Sequence, residues 1–194
     1  MAKIFCLVGA SCSGKDTIFR NLVDSDLPIV PIVTYTTRPI RPNEKNGREY
    51  YFVDKHNFIK LRHQGKIIES RIYHTVHGDW IYFTANDGQF DMTSNKKYLM
   101  INTLEGVSKL QRLYKDDVVT IHLCVGDRER LLRNLSREMN GNEDYVEMCR
   151  RFISDTKDFS VENFARLHIK DIRVVNENIP DCVKEVSQII TNKN

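Results

Sequence analysis

Short apolar runs alternate with stretches of helical periodicity along this chain, and the alternation sets the fold class. Lys3–Val8 is apolar, rich in strand formers and ended by Gly9. After a glycine-rich loop, "KDTIFRNLVDS" places Ile18, Phe19, Leu22 and Val23 on one helical face. "KKYLMINT" predicts a second buried strand. "LEGVSKLQRLYKD" follows as a helix with Val107, Leu110 and Leu113 or Tyr114 on one stripe. "DVVTIHLCV" and "IRVVN" predict two more strands. Between them lies a long, charged helical stretch, "GDRERLLRNLSREMNGNEDYVEMCRRFISDTKDF", interrupted near Gly141. "IPDCVKEVSQIITNKN" closes the chain as a helix with Pro180 near its start. Strands alternating with helices predict an α/β fold, a parallel sheet covered by helices on both faces.

Residues from Ile29 to about Asn95 break that rhythm. "PIVTYTTRPIRPNEKNG" is polar, basic and interrupted by prolines. "REYYFVD" predicts a strand, "KHNFIKLRHQG" a short helix, and "KIIESRIYHTVHGDWIYFT" a strand pair. The segment 33–96 is therefore expected to be a mixed α/β insertion carrying a ligand-binding face. The core is expected at 1–32 and 97–194, with a helical lid at about 127–157, all within one domain. No repeat, low-complexity segment or flexible linker is evident.

Composition changes this picture little. The 194 residues are 41% hydrophobic and 28% charged, as in soluble globular proteins. A net charge of +3 does not demand nucleic acid, but it suits a small anionic ligand where basic residues converge. No apolar run approaches a membrane span. None of the five cysteines forms a C-x-x-C pair, which argues against zinc and for a reducing, cytoplasmic compartment.

The candidate chemistry begins at "GASCSGKD". Gly9, Ala10, Ser11, Cys12, Ser13, Gly14 and Lys15 match a phosphate-binding loop, in the strand–loop–helix context that the motif requires. Successive N–H groups and the helix N-terminus would hold phosphate oxygens, with Lys15 as a mobile positive charge. The pattern asks for a hydroxyl after the lysine, yet Asp16 stands there. Thr17 cannot simply replace it, being turned about 100° away. A second basic group, Arg38 and Arg41 with Arg48 and Tyr50 nearby, suits another phosphate. In isolation it reads equally as a solvated loop. Arg130, Arg133 and Arg137 lie three and four apart on one helical face, with Arg151 on the next helix. They read as a lid closing on negative charge, or as a charged surface hairpin.

With these motifs in view, the whole chain resembles the guanylate kinases, P-loop enzymes that phosphorylate GMP from ATP. "TYTTRPIRPNEKNGREYYFV" is similar to that family's acceptor-binding signature. The resemblance implies that Arg38, Arg41, Tyr50 and Tyr82 hold the GMP phosphate. Glu69 would face the guanine edge, with Thr34 and Thr84 near the base. Arg133, Arg137 and Arg151 would be the lid arginines, acting with Lys15 and Arg38 in catalysis. Asn176 would sit beside the donor adenine, and Gly9–Thr17 would hold ATP as its magnesium complex. ATP and GMP are the implied small-molecule partners, with no nucleic acid or membrane, for a monomer or homodimer. An ionised Glu69 accepts only, which matches the adjacent N–H donors of guanine.

Three departures stand out. Asp16 replaces the loop hydroxyl. "YLMINTLEG" ends its strand in Ile101, Asn102 and Thr103 where the family has aspartates. "HGDWIYFT" carries Phe83 and an extra residue where the family has a glycine, so Phe83 is expected to reshape the acceptor pocket. The first two predict a relocated magnesium site using Asp16 and Asn102, with Asp16 as a plain helix-cap residue the alternative. "GKD" with a strand asparagine also resembles the ribose 1,5-bisphosphate phosphokinases. A third reading is an inactive guanylate-kinase-like binding module.

Overall fold

β1 (Lys3–Val8) becomes the middle of the larger sheet, because both of its faces are apolar. Ile4, Cys6 and Val8 point one way, Phe5 and Leu7 the other, and all five are fully buried. The computed structural model describes residues 2–41, 44–141 and 144–193. In it, five parallel strands run in the order β2 (Ile29–Pro31), β7 (Lys97–Ile101), β1, β8 (Val118–Cys124) and β9 (Asp171–Val175). Helices α3 (Leu104–Tyr114) and α6 (Val161–Leu167) cover the Ile4 face. Helices α1 (Lys15–Val23) and α7 (Ile179–Asn192) cover the Phe5 face. The expected parallel sheet with helices on both faces is present.

The smaller sheet is mixed, in the order β4 (Tyr51–Phe52), β3 (Tyr35–Thr36), β6 (Gly78–Ala85) and β5 (Ile67–Thr75). β3 pairs parallel with β4 and antiparallel with β6. Helix α2 (Lys55–His63) lies behind it, and Phe58, Ile81, Phe83 and Ala85 form its own small core. The lid segment is a pair of helices, α4 (Asp127–Met139) and α5 (Tyr145–Asp158). Gly141 lies in a turn between them. The rest of the predicted break, Asn142 and Glu143, lies outside the described residues, as do Pro42 and Asn43 of the acceptor signature.

Three expectations need correction. No strand is expected at Ile29–Pro31 within the core range 1–32, yet these residues pair with Lys97–Leu99 as a fifth strand of the core sheet. Three residues are too few to show a period, and Pro31 suits only an edge strand. "REYYFVD" is a strand only at Tyr51–Phe52, because Gly47–Glu49 form a turn. A further helix, α6, follows the lid; Ser160 caps it by accepting the Asn163 amide, and His168 ends it in the left-handed region at φ 55°. Phe83, expected to reshape the acceptor pocket, does line the cleft, and it also packs in the small core, stacked on Tyr35 and edge-on to Phe58 at 4.9 and 5.0 Å.

Candidate active site

A cleft of about 220 Å³ lies between the two sheets, lined by the glycine loop, both strands of the β5–β6 hairpin and the lid. On its donor side the loop leaves β1 and enters α1 at Gly14, whose φ of 91° is left-handed. A side chain at 14 would also collide with the Asn176 Nδ2 that donates to the Ser13 carbonyl at 2.8 Å. Glycine is therefore required twice over. Cys12 also takes a left-handed conformation, φ 60°, so the loop is wound tightly around its inward N–H groups. Lys15 Nζ donates to the Gly9 and Ala10 carbonyls at 2.6 and 2.9 Å. Burial pulls its pKa below the usual lysine range, with Asp16 and Asp155 opposing the shift.

Asp16 is exposed in the first turn of α1, where a carboxylate also suits the helix N-terminus, so the helix-end alternative stands beside the metal one. Gly14 occupies the cap position. The Asp16 carboxylate lines the cleft and has no hydrogen-bond or ion-pair partner among the described residues. Asn102 also lines the cleft, but its Oδ1 accepts the Thr103 amide at 2.7 Å. Its Nδ2 has no partner, and the side chain lies against Gly106, where any Cβ would collide with it. Among the described residues, no three His, Cys, Asp or Glu side chains gather as a metal cage. Magnesium does not need one, since one or two carboxylates plus phosphates and waters hold it. Asp16 fits that role.

The acceptor side is built from the smaller sheet. A β-bulge after Ile67 shifts the β5 register, so Glu69 rather than Ile68 faces Thr84. Thr84 Oγ1 donates to Glu69 Oε1 at 2.6 Å, and both are buried. Burial raises the Glu69 pKa; Thr84, Lys109 and Asn102 work against that rise. Thr34 is buried beside the same cleft. Tyr82, on the face of β6 that carries Thr84, accepts from Arg38 Nε at 3.2 Å. Arg38 is only 3% exposed and grips Glu44 through two bonds of 2.7 and 2.8 Å. Its guanidinium lies against the Tyr50 and Phe52 rings. Glu44 also accepts the Arg41 amide at 2.8 Å, and these contacts hold its carboxyl below the usual range despite burial. Arg41 and Tyr50 complete the group, and burial raises the Tyr50 phenol well above its usual pKa.

The lid closes the third side. Arg137 and Arg151 line the cleft, and Arg151 pairs with Glu138 at 3.0 Å. Arg133 stands apart, paired with Glu129 and reaching the Asn176 carbonyl at 3.5 Å. Arg130, on the same helix as Arg133 and Arg137, is buried over the Phe152 ring of α5 at 4.5 Å. Three contributors escaped the sequence reading. Glu44 anchors Arg38; it sits inside the quoted signature, and its negative charge between two arginines was the available signal. Asp155, one turn after Arg151, accepts the Ser11 amide at 2.8 Å and so holds lid against loop. Arg71 shares the Glu69 face of β5 and bonds Glu105 and Asp158.

A strand–glycine loop–helix unit facing a buried arginine, a half-buried one and a buried carboxylate defines a two-substrate phosphoryl-transfer site. A family model described as "Guanylate kinase" matches residues 1–193, so the chain belongs to the guanylate kinase family. It is 27% identical over 192 residues to a guanylate kinase of Nitrosomonas europaea, covering 98% of this chain and 89% of that protein. One from Anaplasma phagocytophilum is also 27% identical, covering 96% and 85%. A crystal structure of guanylate kinase from Anaplasma phagocytophilum superposes with a TM-score of 0.68 at 25% identity, covering 98% of this chain and 85% of that one.

Proposed function

We propose that the protein transfers the γ-phosphoryl group of ATP to the phosphate of GMP or dGMP. The buried Glu69–Thr84 pair carries this reading, beside two arginines and across the cleft from the phosphate loop. A carboxylate buried with only one hydroxyl donor still has lone pairs to satisfy, and the adjacent N–H groups of guanine supply the match. A sugar phosphate offers no such edge.

Arg38 and Arg41 hold the acceptor phosphate, helped by the Tyr50 and Tyr82 hydroxyls. The acceptor phosphate is itself the nucleophile, so alignment and charge stabilisation carry catalysis rather than a base. The Gly9–Lys15 loop holds the donor phosphates. Lys15, Arg137 and Arg151 surround the group in flight, and Arg133 with Asn176 borders the donor base. Asp16 would hold magnesium, with Asn102 at the neighbouring strand end. When bound, the metal offsets negative charge on the phosphates. The lid excludes water that would otherwise compete as acceptor. The five cysteines are all free, which supports a cytoplasmic reading. Among the described residues, no helix is long and apolar enough to cross a membrane.

An acceptor panel with ATP and magnesium tests this: GMP and dGMP should be turned over in clear preference to the other monophosphates and ribose 1,5-bisphosphate. Turnover of the sugar alone would replace the reading with a sugar-phosphate kinase. No turnover, together with a melting temperature unmoved by millimolar ATP and magnesium, would leave a binding module.

Glu69 adds a pH signature. Burial raises its pKa, and recognition of the base needs its charged form. On acidification, kcat/KM for GMP should fall at a pH above the ordinary carboxylate range, since this parameter reports free-enzyme groups. Glu69→Gln should remove that limb and lower kcat/KM about a hundredfold at neutral pH. An acid limb that survives Glu69→Gln would assign the titration to another group.

A further inference from the structure

Arg71, a cleft-lining cation, ties the smaller sheet both to the core helix α3 and to the end of the lid helix α5. Its Nη1 donates to Glu105 at 2.6 Å, and its Nη2 to both oxygens of Asp158 at 2.8 Å. Its guanidinium lies 4.5 Å from the Tyr73 ring centroid. These contacts leave little of its donor capacity for a ligand, so it is not itself a phosphate-binding arginine.

Both carboxylates are anchored on the far side of the cleft. Glu105 sits in the first turn of α3, whose Leu104, Val107 and Leu110 are packed in the core. Asp158 ends α5; its carbonyl accepts Asn163 Nδ2 at 2.6 Å, and the next residue, Phe159, stacks on His122 of β8. Arg71 therefore joins β5 to two fixed points on different helices. Two anchors fix direction as well as distance, because a planar guanidinium bonds only along its fork. Glu69 lies two residues earlier on the same strand face and shares that placement.

Resting on the functional reading above, we infer that Arg71 is a positioning residue: through Glu105 and Asp158 it clamps the acceptor sheet onto α3 and the end of α5, presetting where Glu69 meets the acceptor base. Without Arg71, two carboxylates would face each other inside the cleft, repelling one another and an anionic acceptor. Lysine would keep the charge but could not form the bonded fork.

The test compares Arg71→Met and Arg71→Lys with the wild type in GMP and ATP kinetics, in melting temperature, and in amide hydrogen exchange of β5 and β6. Arg71→Met should raise the GMP KM about tenfold, leave the ATP KM within about twofold, and speed exchange in the β5–β6 hairpin. Arg71→Lys should recover part of the loss. An Arg71→Met, Asp158→Asn double variant should be no worse than Arg71→Met alone, because the two residues act as a unit. An unchanged GMP KM in Arg71→Met overturns the clamp. So does an equal rise in both KM values with a lowered melting temperature, which would make Arg71 only structural. A wild type inert toward GMP would overturn the functional reading instead; hydrogen exchange alone would then decide the clamp, with unchanged exchange overturning it.

Discussion

Lys15→Met is expected to cut kcat for GMP phosphorylation about a thousandfold, while the GMP KM stays within a few-fold of the wild type. In this structure the ammonium rests on the Gly9 and Ala10 carbonyls at the mouth of the loop. Those two bonds are a resting place on a flexible stem, from which the charge can swing to a phosphate. Methionine keeps most of the packing and loses the charge, so the melting temperature should hold. Steady-state kinetics with each substrate varied in turn check the result. A kcat within tenfold of the wild type would show that the lid arginines suffice without Lys15.

Arg38→Met should produce the second large effect, and on the other substrate. Its guanidinium is bonded to Glu44 and Tyr82 and sandwiched near two aromatic rings. Breaking a buried ion pair from one side costs about 3–5 kcal/mol, because the orphaned carboxylate stays behind. The melting temperature should therefore drop, and kcat/KM for GMP should fall at least about a hundredfold. The double variant Arg38→Met, Glu44→Leu separates the two losses. Removing both charges should restore much of the stability and none of the acceptor affinity. If the double variant regained GMP binding, Arg38 would be a scaffold and not a phosphate ligand.

What could be read in advance depended on how far apart in the chain the partners lie. The glycine loop was legible because its chemistry is local: backbone amides, two glycines and a lysine within one turn, between a strand and a helix. The acceptor signature was legible for the same reason, and it lies mostly on one strand pair and its approach. Contacts between distant segments were not. Asp155 and Ser11 are brought together only by folding, and Arg71 meets two helices from elsewhere in the chain. Helical spacing placed Arg130 beside Arg133 and Arg137, but not its burial against the Phe152 ring of α5. The Ile29–Pro31 strand escaped because its three residues carry no period and gain their identity from β7. Phe83 was expected at the cleft and lines it, but its packing on Tyr35 and Phe58 in the small core depends on segments far away in the chain.

The order of the core strands has a consequence for how the protein is made. β1 is made before β7 and β8, yet those are its neighbours, and Lys3 must wait for Lys97 to pair. The loop that follows β1 is braced later still, by Asn176 on the segment just past β9. A growing chain thus carries its phosphate motif well before Asn176 is there to brace it. Until β7 and β8 have been made, the buried stretch Ile4 to Val8 must be shielded.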